Sequence, residues 1–456
     1  MFLLKKNLLL ILCFFSNLCF SKIYINIDSP KVEKSIIALS PFISKNTTTQ
    51  KGDLKLEKNL NKDLHTNIKF SSYFKILSKK AFIENPLEVS SRPYPEDARG
   101  FRWKNWKLSG ADFLLFGSYS TENSRLILDI SFYNINSQKK VFQKRYQAKK
   151  SKAKSLIDTL SNDIVEKLSG KKGIFKTKIA SIRNVSRSKK ELFLMNWDGR
   201  QKERLSYHRS IVLSPSWSKD GKNISYTAFV YNTKLKRRMT ALFLLNLSSN
   251  KIKLLSNRKG ANLGADFFPN RKDMLITLSS GIGFMDIFKI NLSSLSIKPI
   301  TKGPPGIINV EPSIHPKKKW IAFSSDRNGK TMIYTMKAAG SEIKQITFAG
   351  HHNSTPDWNP QNDEIVFSGQ SNKRFDLFTV RSNGTGLRRL TSLKRSNGTW
   401  ANCESPSFSP DGRFIVFTSD LSGTYQLYIM NVDDLSIERI TFDRYNYKSP
   451  KWSPYL

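Results

Sequence analysis

The sequence predicts an α/β N-terminal domain followed by an all-β six-bladed β-propeller, which is closed by pairing of its N- and C-terminal strands. Three observations predict this fold. A short motif recurs six times, starting at residues 215, 265, 312, 356, 406 and 450. The region before the first copy contains no such repeat, and the last copy lies at the end of the sequence. The copies are 44 to 50 residues apart, a period typical of propeller blades.

The copy at residue 406 illustrates the predicted blade. Residues 406–409 form a short first strand that ends at the turn Pro410-Asp411-Gly412, where the glycine accepts the backbone angles of the turn. The apolar run 414–417 fits a second strand buried between neighbouring blades. Residues 426–431 and 437–440 follow as third and fourth strands. The same order recurs after the copies at 312 and 356, so the repeat unit is a four-stranded blade.

The last copy, 450–455, has no residues after it to complete a blade. Residues 176–206 contain three strands without a first-strand motif, at 178–182, 191–196 and 203–205. These strands supply what the last copy lacks, so we expect the two ends of the region to meet in one blade and leave no free sheet edge. The alternative is an open solenoid, in which both partial blades remain unpaired.

Residues 22–172 are predicted to form the α/β domain. Leu56, Leu60, Leu64 and Ile68 recur every fourth residue, which indicates one face of a helix. A second helix is predicted from an N-cap at Ser151 to Gly170. The proline-rich stretch 84–100 is predicted to be a loop, and strands are predicted at 73–77, 112–119, 125–133 and 140–146. We expect a small sheet with helices on one face.

Residues 1–21 have the features of a secretory signal peptide. Lys5 and Lys6 precede the apolar run 8–15, and Cys19 and Ser21 supply small residues at the cleavage site. The predicted organisation is therefore a signal peptide at 1–21, the α/β domain at 22–172 and the propeller at 173–456. Cleavage leaves Cys403 as the single cysteine, so we expect no intramolecular disulfide.

The chain has 75 basic and 36 acidic residues, a formal net charge of +39. Such a balance often indicates nucleic-acid binding, but a predicted signal peptide argues against nucleic acid as a partner. Anionic envelope polymers and lipid headgroups are the counter-ions available to an exported protein. The other interpretation is that lysine is simply a favoured surface residue in this chain, since the charge is spread throughout the sequence.

No catalytic or cofactor-binding motif is found. The sequence lacks a G-x-S-x-G elbow and a phosphate-binding glycine loop, and its five histidines do not have zinc-ligand spacing. The adjacent pair His351 and His352 lies in a loop, where neighbouring residues rarely chelate one ion. We therefore predict a protein that is not an enzyme and has no cofactor or metal site.

Six predicted loops lead into the first strands and converge at one end of the channel, which favours a binding site there. Two of them carry an acidic residue close to the repeated motif, Glu311 and Glu404. These acids either contact a partner or pair with neighbouring basic residues. The loops span residues 206–214, 257–264, 303–311, 349–355, 398–405 and 443–449.

Three segments in this order, together covering the length of the chain, resemble the TolB family of periplasmic propeller proteins. The C-terminal run Pro450-Lys451-Trp452-Ser453-Pro454-Tyr455-Leu456 is similar to the end of that family. The stretch from Val165 to Gly170 and on through 173–180 resembles the family's connection between its two domains. The stretch Ile25-Asn26-Ile27-Asp28-Ser29, with Pro41-Phe42 downstream, resembles its first strand.

The resemblance implies a non-enzymatic scaffold in the periplasm. Proteins of this family bind the lipoprotein Pal at the loop-rich end of the propeller and the inner-membrane protein TolA through the N-terminal segment. The Tol–Pal system maintains outer-membrane integrity and assists outer-membrane constriction during cell division. The implied Pal-binding residues are Ala261, Asn262, Gly264, Asn309, Val310 and Glu311, and the position of Glu404 just before the repeated motif adds it as a further candidate. The implied TolA-binding residues are Ile23, Ile25, Ile27, Asp28 and Ser29.

This chain departs from the family pattern at two of these places: Ala261 stands where the family often has histidine, and Pro30 replaces a glycine. Two other functions remain open on the sequence. One is a periplasmic propeller that binds anionic envelope polymers, with the outer membrane or peptidoglycan as its target and no Tol partners. The other is a propeller lyase or glycosidase, which would require paired acids facing the channel.

Overall fold

A computed structural model describes residues 34–45, 51–85, 88, 100–233, 236–281, 283–317 and 319–456. It contains an N-terminal α/β region and a six-bladed propeller, which confirms the predicted fold class. The predicted signal peptide and the predicted TolA-binding residues lie outside the described residues. In the part of the chain that the structure describes, none of the helices has the length and apolar character needed to cross a membrane.

The N-terminal region is built on a mixed six-stranded sheet. Its strands are β1 Ser35–Leu39, β2 Ile43–Ser44, β3 Phe74–Ile76, β4 Phe113–Glu122, β5 Arg125–Asn134 and β6 Lys139–Lys149. The order is β3-β1-β4-β5-β6, and β2 pairs with β4. Strand β1 is parallel to both neighbours, whereas β4, β5 and β6 are antiparallel. The sequence pattern predicted β3 to β6 but missed β1 and β2.

Two long helices cover one face of this sheet, and a short helix packs on the other. The helices are α1 Lys51–Ser71, α2 Trp103–Leu108 and α3 Ala153–Ser169. The four apolar residues of the predicted helix face, 56, 60, 64 and 68, are all buried in α1. Helix α2 was not predicted; its Trp106 is buried in a separate cluster and donates to Glu84 at 2.5 Å. Helices therefore lie on both faces, not on one.

The ends of α3 only partly follow the prediction. Gly170 ends the helix with φ of 70°, a left-handed conformation that glycine adopts without steric cost. The predicted N-cap, Ser151, is wrong. It lies inside the 3₁₀ turn Lys150–Lys152, and the residue that precedes α3 is Lys152, which makes no side-chain cap bond. The turn displaces the helix start by one residue and moves the hydroxyl away from the free backbone N–H groups.

The propeller consists of six four-stranded antiparallel sheets. Blade 1 consists of β10 Val212–Trp217, β11 Asn223–Asn232, β12 Arg237–Asn246 and β13 Ile252–Ser256. Blade 2 consists of β14 Asn262–Phe267, β15 Asp273–Gly281, β16 Phe284–Asn291 and β17 Ile297–Pro299. Blade 3 consists of β18 Asn309–Ile314, β19 Trp320–Ser325, β20 Met332–Lys337 and β21 Lys344–Gln345. Blade 4 consists of β22 His352–Trp358, β23 Glu364–Ser371, β24 Arg374–Arg381 and β25 Arg388–Arg389. Blade 5 is β26 Cys403–Phe408, β27 Phe414–Ser419, β28 Gln426–Asn431 and β29 Ile437–Arg439.

Blade 6 is assembled from both ends of the propeller, as predicted. Its strands are β30 Tyr447–Trp452, β7 Lys178–Asn184, β8 Lys190–Asn196 and β9 Glu203–Arg204. Strand β30 pairs antiparallel with β7, from Tyr447 opposite Arg183 to Trp452 opposite Ile179. The Trp452 indole N–H also donates to the Thr177 hydroxyl at 2.8 Å. This pairing joins the two ends of the chain into a closed ring.

The N-terminal region packs against the end of the propeller at which the inner strands finish. Phe70 stacks on Phe414 of blade 5, with ring centroids 4.6 Å apart, and also contacts Trp197 of blade 6. The Arg413 guanidinium donates to the Ser71 carbonyl at 3.0 Å. One continuous hydrophobic cluster runs from the sheet and helices of the first region into blades 5 and 6. The two regions therefore share a core.

We expect deletion of residues 448–456 to prevent closure of the ring. The deletion removes nearly all of β30 and leaves the edge of β7 unpaired and exposed. The truncated protein should be insoluble or rapidly cleaved in limited proteolysis. Deletion of the exposed Leu456 alone is the matched control and should leave the protease resistance unchanged. A truncated chain that melts like the full protein would contradict the shared blade.

Arg413→Ala should loosen the contact between the two regions. The side chain is only 12% exposed, lies over the Tyr73 ring at 3.9 Å and pairs with Asp433. Loss of these contacts should lower the free energy of unfolding by roughly 2 kcal/mol. The measurement is denaturant unfolding, with Lys222→Ala as control because Lys222 follows the equivalent turn of blade 1 and is exposed. Equal stability of the two variants would show that Arg413 does not hold the regions together.

Candidate functional site

The candidate site is the end of the propeller where the inner strands begin, which we call the mouth. It is formed by the connections that precede the six inner strands and by the turns between the second and third strands of each blade. The N-terminal region lies at the opposite end, where it contacts residues such as Arg413 and Trp197. No other described part of the chain covers the mouth.

Every inner strand has an irregular register at one position along the channel. Five of these positions have φ between 48° and 55°, and the sixth is a glycine. A bulge of this kind redirects a side chain at one point in a strand. The six residues are Ser214, Gly264, Glu311, Thr355, Ser405 and Ser449. The predicted loops were therefore too long, because their last residues belong to the inner strands.

Glu311 connects two blades at this level of the channel. Its Oε2 accepts the Thr355 backbone N–H of blade 4 at 2.7 Å and the Ser324 hydroxyl of its own blade at 2.9 Å. Its Oε1 has no hydrogen-bond partner among the described residues, and the side chain is exposed. Glu311 therefore stabilises the ring with one oxygen and offers the other oxygen to a partner.

Two of the predicted contact residues are buried. Asn309 is fully buried and donates to the Asp286 carboxylate at 3.0 Å. Asn262 is also fully buried and accepts the Arg258 backbone N–H at 3.0 Å. Neither side chain is exposed in this structure, and both amides are used in hydrogen bonds within the ring. They hold the connections of the mouth in position, while Val310 beside Asn309 is half-buried.

The connection before blade 2 is fixed by backbone contacts. The Ala261 N–H donates to the Ser279 hydroxyl at 2.8 Å, and the Gly264 N–H donates to Thr227 at 3.1 Å. A Cβ atom at Gly264 would lie 3.2 Å from the Ser214 carbonyl of the neighbouring blade, so the glycine permits a close approach of two inner strands. Ala261 and Gly264 thus shape the mouth through their backbone.

Glu404, in contrast, is paired locally. Its Oε2 lies 3.2 Å from the Lys448 ammonium, and its Oε1 accepts the Tyr425 hydroxyl at 3.2 Å. The Lys448 ammonium also lies over the Tyr425 ring. Burial and the neighbouring Glu404 carboxylate raise the pKa of Tyr425 to about 12, so its hydroxyl remains a donor at neutral pH. Of the two acids predicted, Glu311 alone has no basic partner within ion-pair distance in the part of the chain that the structure describes.

Below the mouth, residues of the inner strands line a cavity of about 180 Å³. There the Lys451 ammonium of blade 6 reaches Asp357 of blade 4 at 2.8 Å, and Lys219 reaches Asp266 at 2.8 Å. Burial disfavours the charged form of Lys451, but the Asp357 carboxylate outweighs burial and raises its pKa. These charges are compensated within the ring. The described residues contain no group of three or more His, Cys, Asp or Glu side chains arranged to hold a metal ion.

Sequence reasoning missed a hairpin at the mouth. Between blades 4 and 5 the chain folds back on itself through a bridge between Lys394 and Trp400. The Trp400 ring is 44% exposed, with the Arg374 guanidinium 3.4 Å and the Lys394 ammonium 4.7 Å from its centroid. The signal that could have revealed the hairpin is the turn dipeptide Asn397-Gly398 within this connection.

Two family models match this chain. The model of the TolB beta propeller domain matches residues 165–402, more than half of the chain, and the model of the TolB amino-terminal domain matches residues 23–141. The second match covers most of the sheet of the N-terminal region, and the first covers blades 1 to 4 and part of blade 6.

Curated relatives include two proteins named Tol-Pal system protein TolB. The relative from Desulfosudis oleivorans is 27% identical over 301 residues, which is 65% of each chain. The relative from Desulfotalea psychrophila is 25% identical over 273 residues, 59% of this chain and 56% of that protein. The matched segments therefore span less than two thirds of these relatives.

One solved structure is similar to this protein over nearly the whole chain. The crystal structure of TolB from Acinetobacter baumannii superposes with a TM-score of 0.75, covers 93% of this chain and 98% of that one, and shares 23% sequence identity. At this identity the superposition establishes the fold only. Since both family models match in the order in which the two regions occur, this chain belongs to the TolB family.

Proposed function

We propose that this protein is a non-enzymatic, periplasmic protein-binding scaffold of the Tol–Pal system. In this role it links the Pal lipoprotein to TolA, maintains outer-membrane integrity and assists outer-membrane constriction during cell division. Family membership and the names of the relatives support a place in this system.

The observation that carries the proposal is the open mouth. Its connections are held by buried hydrogen bonds, such as those of Asn262 and Asn309, and an unpaired carboxylate oxygen of Glu311 is exposed at its centre. A rigid ring that presents convergent connections suits recognition of a folded partner without a large rearrangement. The charged groups of the lower channel neutralise one another, so they offer little support for catalysis there.

In this proposal Pal docks over the mouth with Glu311 near the centre of the interface. Glu311 accepts a hydrogen bond from Pal through Oε1, and Val310 contributes contact area beside it. Ala261, Gly264, Asn262 and Asn309 shape the surface from below. Glu404 acts through its pair with Lys448, which sets the charge on the opposite wall of the channel.

TolA is proposed to bind the segment that precedes β1. Ile23, Ile25 and Ile27 alternate with polar residues, a pattern suited to adding one strand to the edge of another sheet. Asp28 and Ser29 continue this segment towards Ser35, where β1 begins. Strand β1, to which this segment connects, belongs to the N-terminal region, whereas the mouth is formed by the propeller.

The alternative is a periplasmic propeller that binds anionic envelope polymers without Tol partners. Exposed basic residues at the mouth, such as Arg258 and Lys259, favour it. The experiment that separates the two functions is affinity capture with the protein lacking residues 1–21, incubated with envelope extract. Recovery of Pal and TolA supports the scaffold, and recovery of glycan or lipopolysaccharide alone supports the alternative.

Glu311→Gln should weaken Pal binding about tenfold, because the amide oxygen is a poorer acceptor than a carboxylate. The measurement is titration calorimetry with the soluble domain of Pal. Ser324→Ala is the matched control: it removes the internal hydrogen bond to Glu311 at 2.9 Å but leaves the carboxylate in place. We expect that control to lower the stability by about 1 kcal/mol with little change in affinity. Wild-type affinity of Glu311→Gln would remove Glu311 from the interface.

Deletion of residues 22–33 should abolish TolA binding and leave the propeller folded, since the deletion ends before β1. Binding is measured by surface plasmon resonance with the soluble C-terminal domain of TolA, and folding is measured from the thermal transition. Pal binding by the same variant is the internal control and should be retained. A deletion variant that binds TolA with unchanged affinity would place the TolA site elsewhere.

A further inference from the structure

The mouth carries basic residues around its whole circumference. Six of these basic side chains are exposed and come from the connections or turns of successive blades. None of the six has a carboxylate within ion-pair distance among the described residues. They are Arg209, Arg258, Lys302, Lys330, Lys373 and Arg444. Since they occur in every sector of the ring, they form a closed basic rim rather than a single patch.

Most acidic residues of the mouth are already engaged in contacts within the ring, the exception being Glu311 with its Oε1, so they offset this rim only in part. Asp326 accepts the Ile308 backbone N–H at 2.7 Å, and Asp443 pairs with Lys202 at 2.9 Å. Asp420 pairs with Arg395 at the base of the hairpin. At the opposite end of the propeller, acidic and basic residues are mixed. The described part of the propeller is therefore polarised, with its excess positive charge at the mouth.

The rim also carries exposed aromatic rings. Trp400 is 44% exposed on its hairpin, and three further rings follow the outermost strands of blades 3, 5 and 6: Phe348, Phe442 and Tyr207. Aromatic residues and arginine are the side chains that dominate binding energy in protein interfaces. Attraction of a flexible polyanion would require the positive charges but not the rings. The combination of the two favours a folded protein partner.

We propose that the mouth selects a protein surface that is acidic around its edge, with Trp400 as an apolar anchor and Glu311 facing a hydrogen-bond donor at the centre. This inference rests on the proposed function and adds the chemical character of the docked partner to it. The basic rim steers the partner towards the mouth, and the anchor retains it after contact. Charges at a rim act mainly on association and are screened by salt, whereas a desolvated ring acts mainly on dissociation.

The test measures binding of the soluble domain of Pal to the full mature chain at 50 and 300 mM NaCl. We expect the dissociation constant to rise at least about tenfold with salt. The double variant Arg258→Glu/Lys259→Glu should bind about tenfold more weakly at low salt and show a flatter salt dependence. The matched control is Arg271→Glu/Lys272→Glu, the same charge change on exposed residues at the opposite end of blade 2, which should bind like the wild type.

Trp400→Ala should weaken binding about tenfold without changing the salt dependence, because it removes apolar area rather than charge. Trp400→Phe keeps a ring and should recover most of the affinity. A faster dissociation rate at an unchanged association rate would distinguish the anchor from the basic rim. Unfolding of the Trp400→Ala variant is excluded by comparing its thermal transition with that of Trp400→Phe.

Each outcome separates this inference from the function on which it rests. Pal binding that is independent of salt, or equal weakening by both double variants, overturns the acidic-partner inference and leaves the proposed function intact. Absence of Pal binding at either salt concentration overturns the proposed function and the inference with it. Tight binding of heparin, used as an anionic polymer probe, with no difference between wild type and Trp400→Ala would assign the rim to a polymer instead.

Discussion

The pairing of β30 with β7 is the constraint on which the rest of the structure depends. Two segments more than 260 residues apart meet as neighbours in one sheet, from Tyr447 opposite Arg183 to Trp452 opposite Ile179. Because this pairing closes the ring, all six inner strands line one channel in the same direction and their connections converge at one end. An open array would have the same blades but no mouth. Closure therefore creates the binding surface as well as removing exposed sheet edges.

The two ends of the ring have different physical character, and this separates the structural role from the binding role. At one end a continuous hydrophobic cluster, in which Phe70 stacks on Phe414, joins the N-terminal region to blades 5 and 6. Charges in the lower channel are paired, as Lys451 and Asp357 show. At the mouth, exposed basic residues such as Arg258 have no carboxylate within ion-pair distance among the residues that the structure covers. Positive charge that is not compensated within the rigid propeller is available to interact with a partner.

The repeat in the sequence predicted the blades because each blade is encoded by the same local pattern. That pattern is a short strand, a tight turn and a buried apolar strand. The four-residue spacing of Leu56, Leu60, Leu64 and Ile68 predicted the buried face of α1. Predictions that depended on single residues were less successful. Ser151 has the chemistry of an N-cap but lies within a 3₁₀ turn, and α2 is too short to show a periodic pattern. At the mouth, Asn262 and Asn309 lie in connections that are polar in sequence, yet burial in the fold makes them internal supports.

The sequence by itself determined the number of blades, the shared sixth blade and the acidic residues near the channel, since these follow from periodicity and composition. Only the tertiary structure decided which of the two acids, Glu311 or Glu404, forms an ion pair within the ring. Glu404 meets Lys448 from the neighbouring blade, 44 residues away in the chain, whereas Glu311 meets a backbone N–H and keeps one oxygen exposed. The position of the Arg374 guanidinium over the Trp400 ring likewise arises from a contact between two segments that are separate in sequence. Local residue patterns contain no record of such contacts, because they depend on how the blades are arranged around the ring.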